Sequence, residues 1–311
     1  MRIVFMGTPE FAVPSLEALV RAGHEIPAVV TRPDRPYGRK GILKPPAIKV
    51  AAARLGLPVW QEAGVGGLED FVRQLEPEAG VVVAFGRILP PRLLALARHG
   101  WINVHASLLP RYRGPAPINW AIINGDGETG VTTMFLAPGV DTGDIILQET
   151  VAIPPGMTAG ELAEQLAGLG ARVLVATLEL LARGRAPRRP QDPSRATYAP
   201  TLARDDARIR WEAPARAVVN QIHGLNPEPG AYTGWQGREI KVWRAEEAPF
   251  AGGPREVRPG TVVRADGKEL WVAAGQGGGV ALREVQPAGK KSMDIQAFLR
   301  GYRVKVSDGL G

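Results

Sequence analysis

The run GVVVAF, residues 80–85, is apolar at every position from Val81 to Phe85 and shows no alternation. A strand with one wet face alternates apolar and polar side chains. A strand buried on both faces does not, and such strands belong to parallel sheets covered by helices. The surrounding chain has the matching texture. RIVFM (2–6) and residues 26–31 read as strands, and 14–21 reads as a helix with Leu16, Leu19 and Val20 on one face and Gly23 as its stop. Further helices are predicted over 49–55, 68–75 and 91–98, with a short extended piece at 58–60. Residues 102–105 read as a strand, 118–124 as a helix, 131–136 and 145–153 as a hairpin, and 158–183 as a long amphipathic helix. Strand–helix alternation of this kind argues an α/β fold with a mainly parallel, Rossmann-like sheet. Ligands in such sheets bind outside the carboxyl ends of the strands.

The pattern breaks at GRAPRRPQDPSRATYAP (184–200), which holds four Pro and no apolar periodicity. It reads as an extended linker. Beyond it, one helix (216–224) precedes short β-type runs at 260–263, 269–273, 280–285 and 302–306, separated by Gly-rich turns. Short strands with turn signals suggest a small OB-like β-barrel. The expected organisation is a domain over 1–183, a linker over 184–204 and a second domain over 205–311.

Composition narrows the function. At 311 residues with 45% hydrophobic and 22% charged residues, the chain is globular and large enough for two cores. It has no Cys, which excludes disulfides, thiolate metal ligands and a cysteine nucleophile. No apolar run nears the roughly 20 residues of a membrane span, and Met1-Arg2 leads straight into the first strand rather than a signal peptide. A cytoplasmic protein without a membrane partner is expected, with a monomer as the default. Lys and Arg number 38 against 31 Asp and Glu, a net charge of +7. The excess is local: residues 31–50 hold six cations against one acid, and 183–200 hold five against one. That asymmetry suits a polyanion such as nucleic acid. A general basic bias gives the same total, since 30 of the 38 cations are Arg.

Four segments carry candidate chemistry. The first strand ends in Gly7-Thr8-Pro9-Glu10, which is not a dinucleotide fingerprint. In WINVHASLLP (101–110), Asn103 and His105 lie two apart on a strand and share a face. They are either a satisfied polar pair or an amide donor and an imidazole aimed at a developing oxyanion. In GVDTGD (139–144), Asp141 sits in a Gly-flanked loop. Turns recruit Asp for backbone reasons, yet an Asp beside an imidazole also fixes its tautomer and favours the imidazolium. No G-x-S-x-G elbow is present. Four His without ligand spacing give no metal site. Finally, TRPDRPYGRKGILKPP (31–46) carries Arg32, Arg35, Arg39, Lys40 and Lys44 against Asp34 alone. It reads as a mobile basic loop, solvated or tracking phosphates, with Tyr37 available to stack on a base.

GTPEFAVPSLEAL, TRPDRPYGRK, NVHASLLPRYRGPAP and DTGDI, in that order, resemble the methionyl-tRNA formyltransferase family, and the likeness covers the whole chain. The NVHASLLPxxRGxxP pattern marks the wider formyltransferase superfamily, while GTPEF, the basic loop and the second domain narrow it. The resemblance implies the formyltransferase fold and transfer of a formyl group from 10-formyltetrahydrofolate, with no metal, to the amino group of methionyl initiator tRNA in translation initiation. It assigns catalysis to Asn103, His105 and Asp141. It assigns folate binding to Ser107, Leu108, Leu109 and Pro110 and to the backbone of Phe85, Gly86, Arg87, Ile88 and Leu89. It assigns tRNA contact to Arg35, Arg39, Lys40 and Lys44. One departure is His223, where the family pattern calls for Arg; Arg216, Arg238 and Lys241 lie nearby in sequence. Two rival readings fit the same residues: a superfamily relative acting on a nucleotide amine or on water, and a non-catalytic RNA-binding module on the same scaffold.

Overall fold

A computed structural model describes residues 1–37, 41–61, 67–250 and 257–311. Two units emerge: Met1–Pro117, Thr129–Val151 and Ala163–Ala199 form the first, and Ile118–Glu128, Ala152–Leu162 and Pro200–Gly311 the second.

The strands of the first part of the chain are β1 (Arg2–Gly7), β2 (Glu25–Thr31), β3 (Arg35–Tyr37), β4 (Ile42–Lys44), β5 (Val59–Gln61), β6 (Ala79–Val83), β7 (Trp101–His105), β8 (Glu128–Phe135) and β9 (Ile145–Ala152). The helices are α1 (Val13–Arg21), α2 (Ala47–Arg54), α3 (Leu68–Leu75), α4 (Pro91–Leu94), α5 (Pro117–Ile123) and α6 (Ala159–Ala182). Seven strands form one sheet in the order β5-β2-β1-β6-β7-β8-β9. β5, β2, β1, β6 and β7 run parallel, and β8 returns antiparallel to β7. The chain moves outward from β1 to β2 and β5, then restarts on the other side at β6. The order therefore reverses between β1 and β6, and a ligand crevice is expected at their carboxyl ends.

Every residue of β6 and β7 is buried, as the unalternating run at 80–85 requires. Gly80 is needed there for close approach: a Cβ on it would lie 2.1 Å from the Trp101 ring. The indole thus crosses β6 and donates from Nε1 to the Leu93 carbonyl at 3.0 Å. Val4, Met6, Val30 and Val82 complete that layer with Leu68, Val72 and Leu93.

Three sequence expectations are corrected here. The helix expected over 91–98 stops at Leu94, and tight turns closing on Leu93 and Ala97 follow. The basic loop after β2 contains the short antiparallel pair β3–β4, with Arg35 opposite Lys44. And against the expectation that no apolar run nears span length, α6 is long and apolar enough by composition to cross a membrane; more than half of its apolar stretch is buried in this fold.

In the second unit, α7 (Ala215–Gly224) precedes β10 (Tyr232–Trp235), β11 (Arg238–Ala248), β12 (Val262–Ala265), β13 (Leu270–Ala273), β14 (Gly279–Pro287), β15 (Met293–Asp294) and α8 (Ile295–Gly301). The order is β10-β11-β14-β13-β12, with β15 on β14, all antiparallel. Register shifts at Val242–Ala245 bend β11, as bulges do, and the sheet curls into a half-barrel around Trp211, Val218, Ile222, Val242, Leu282 and Phe298. The strand expected over 302–306 does not form. Asp294 caps α8 instead, accepting from the Ala297 N–H at 2.8 Å. Tyr302 then stacks on Phe298, with ring centroids 4.6 Å apart.

Candidate active site

Asn103 and His105 stand on β7, next to the switch between β1 and β6, and both are buried. Their neighbours differ. The Asn103 amide makes no hydrogen bond to any described residue, although it is only 9% exposed. Its polar atoms are not among the fully enclosed, unpartnered ones, so they are open to water and to a ligand. His105 is fixed through one ring nitrogen and faces a carboxylate with the other. Its Nε2 donates to the Tyr112 carbonyl at 2.9 Å, because a carbonyl only accepts. Its Nδ1 faces Asp141 Oδ2 at 3.6 Å.

The loop after β7 sets that arrangement. Ser107 Oγ donates to the Arg111 carbonyl at 2.6 Å. Thr132 Oγ1, on β8, donates to the Ser107 carbonyl at 2.6 Å and accepts from the Leu109 N–H at 3.1 Å. Gln148 on β9 donates to both the Leu109 carbonyl and Thr132 Oγ1 at 2.9 Å. The loop therefore curls until Tyr112, at φ 58°, presents its carbonyl to the imidazole. Asp141 comes from the loop between β8 and β9, also at positive φ (52°). Its Oδ2 accepts from the Gly114 N–H at 2.8 Å.

The other candidates fall into three groups. Ser107 and Leu109 are turned inward: the Ser107 hydroxyl is spent on Arg111, and Leu109 packs with Met134 and Ile145. Leu108 and Pro110 are half-buried. In the 85–89 segment, Phe85 and Leu89 enter the core, Gly86 and Ile88 are exposed and Arg87 is half-buried. This stretch follows β6 directly and lies in the crevice. Arg32, at the end of β2, donates from Nη2 to the Gly86 carbonyl, while its buried Nε has no partner among the described residues. Burial, then the charges of Arg35 and Arg87, lower the proton affinity of Arg32 from its ordinary value. A cationic cluster thus borders the crevice. Arg35 and Lys44 are exposed on the β3–β4 pair; Arg39 and Lys40 lie outside the described residues.

Two features escaped the sequence reading. Residues 184–200 are no free tether. Thr197 and Ala199 exchange backbone hydrogen bonds with Pro110, Arg113 and Ala116, and Arg189 pairs with Ile145. His223, where the resemblance calls for Arg, is 4% exposed, and its Nε2 accepts from the Ala245 N–H at 3.3 Å. Among the described residues, no group of three or more His, Asp or Glu stands close enough to hold a metal ion.

Comparison with known proteins gives the family. Residues 1–178 match the Formyl transferase family and 201–303 the Formyl transferase, C-terminal domain family. The methionyl-tRNA formyltransferase of Moorella thermoacetica is 53% identical over 315 residues, covering 100% of this chain and 99% of that one. The chain belongs to the methionyl-tRNA formyltransferase family. The family's member from Pelotomaculum thermopropionicum is 50% identical, covering 97% of this chain and 96% of its own. Among solved structures, WlaRD, a sugar 3N-formyl transferase crystallised with 5-N-formyl-THF, is similar at a TM-score of 0.68 and 18% identity, covering 94% of this chain and 99% of its own. HypX from Aquifex aeolicus, in complex with tetrahydrofolic acid, gives 0.65 and 17%, covering 97% of this chain and 47% of its own. Family membership makes the protein a formyl-transferring enzyme.

Proposed function

We propose that the chain transfers the formyl group of 10-formyltetrahydrofolate to the free amino group of methionyl initiator tRNA, by direct attack of the amine on the formyl carbon. The observation that carries the reading is the Asn103 amide, open to a ligand and without a partner among the described residues, beside a His105 fixed at Nε2 and facing Asp141 with Nδ1, at the carboxyl end of a central strand. The crevice suits a folate-type donor: Phe85 and Leu89 give a packed wall, and Gly86 offers exposed backbone. The donor supplies a formyl carbon activated by its bond to N10.

Each residue then has one task. Asn103 donates to the carbonyl oxygen as the amine forms the new C–N bond and negative charge builds there. His105 takes the surplus amine proton at Nδ1, since Nε2 is committed to Tyr112. It returns that proton to N10 as the C–N10 bond breaks. Asp141 faces the same nitrogen and balances the charge that the ring carries in passing. Folate contact is assigned to the backbone of residues 85–89 and of Ser107 and Leu109, with Leu108 and Pro110 beside them. Arg35, Arg39, Lys40 and Lys44 would grip phosphates of the acceptor arm. The working division is a catalytic domain over 1–183 and a tRNA-binding domain over 205–311, joined by 184–204. The enzyme would act as a cytoplasmic monomer.

Asn103→Ala tests the assignment. Loss of one oxyanion donor typically lowers turnover by about 100–1000-fold. Near-normal formylation of methionyl-tRNA by this variant would remove Asn103 from the chemistry.

A further inference from the structure

Asp141 points at His105 from a backbone conformation that L-residues rarely adopt, φ 52°. Such conformations persist where the surroundings over-determine them. The neighbour that does so is Gln191, in the Pro-rich stretch after α6. Its Nε2 donates to the Asp141 carbonyl and to the Gly143 carbonyl, each at 2.8 Å. Its Oε1 accepts from Arg113 Nε at 3.1 Å and Nη2 at 2.8 Å. The amide is thus fully used, and its orientation is fixed. Turned over, it would set a carbonyl against two carbonyls and an NH2 group against a guanidinium.

Arg113 is a buried cation, 5% exposed, with no task in the chemistry above. Its chain neighbour Gly114 supplies the N–H that binds Asp141 Oδ2. The contacts therefore close a ring: Gln191 to Arg113, along the chain to Gly114, across to the Asp141 carboxylate, and back through the Asp141 carbonyl to Gln191. Gly143 seals the loop from below, since a Cβ there would lie 1.8 Å from the Phe135 carbonyl oxygen. Gln191 itself is anchored. Arg189 exchanges backbone hydrogen bonds of 2.9 and 3.1 Å with Ile145, and Asp192 accepts from the Ser194 N–H at 2.9 Å.

We propose that Gln191, braced by Arg113, is a positioning residue that holds the Asp141 carboxylate toward His105. The inference rests on the catalytic reading of Asp141 given above. It assigns the stretch after α6 a part in turnover, with no contact to either substrate.

The test is a double-mutant cycle in the full-length enzyme, read as kcat and KM for formylation of methionyl-tRNA. Gln191→Glu keeps the shape and the acceptor but loses both donors. Gln191→Met keeps the length and loses all four contacts without adding charge. Misplacement by about 1 Å can cost on the order of 100-fold. Both variants should lose roughly 10–100-fold in kcat, with both KM values within about twofold of wild type. Gln191→Asn, which retains the amide, should recover part of the loss. In an Asp141→Asn background, Gln191→Met should cause no further loss. If Asp141→Asn itself turns over normally, the catalytic reading fails first. If Asp141→Asn is impaired while either folded Gln191 variant is unimpaired, or the two losses multiply in full, the positioning role is refuted. A loss shared equally by kcat and folded fraction refutes it too, because it marks a merely structural residue.

Discussion

Asn103 and His105 were legible because a strand repeats every two residues, so two polar side chains two apart in an apolar run must share a face. Tyr112 and Gln191 were not. A backbone carbonyl that fixes an imidazole has no side-chain signature, and a Gln among prolines looks like any linker residue. The same scale holds a test of how β7 is seated. Gly80 leaves room for the Trp101 ring, with which an added Cβ would overlap at 2.1 Å. Overpacking of this kind typically costs about 1–3 kcal/mol. Gly80→Ala should therefore lower unfolding stability by that order in urea titration. A midpoint equal to wild type would show that the indole shifts freely.

Among elements, the central strands were legible and several peripheral ones were not. Burial on both faces writes itself into the sequence as unbroken runs, whereas β10 and β11 are half-exposed and contain Arg238, Glu239, Lys241 and Arg244, which hide their alternation. Residues 302–306 carry β-type side chains, but the Asp294 cap starts α8 and its helix takes the space before them. α7 carries a pH dependence of its own. Burial, then the charge of Arg244, lowers the pKa of His223 from 6.5. The unfolded chain therefore binds more protons than the folded one as pH falls through 6.5, and stability drops with it. The slope cannot exceed about 1.4 kcal/mol per pH unit for one proton. Between pH 7.5 and 5.5, wild type should lose more melting temperature than His223→Gln, whose carbonyl can still accept from Ala245. Parallel curves would contradict the buried neutral histidine. Glu161, held at about 2 by Thr158 and Arg244, titrates below this window.

For the molecule as a whole, the two-part organisation and the basic segments were visible in composition, while the bracing of the first unit by residues 189–199 was not. A linker is recognised by lacking periodicity, and a segment that binds through its backbone lacks it as well. If the cations after β2 hold acceptor-arm phosphates, Arg35→Ala should raise KM for tRNA and reduce the salt dependence of that binding by about one counterion. KM for the formyl donor should stay unchanged. An unaltered salt slope would leave the β3–β4 pair without a role in tRNA binding.

The central claim is the donor–acceptor pair, and one assay addresses it: 10-formyltetrahydrofolate with charged initiator methionyl-tRNA, charged elongator methionyl-tRNA and glycinamide ribonucleotide side by side. Formyl transfer to the initiator alone is expected. Transfer to the ribonucleotide, or to none of the three while folate still binds, would contradict it and point to another amine acceptor.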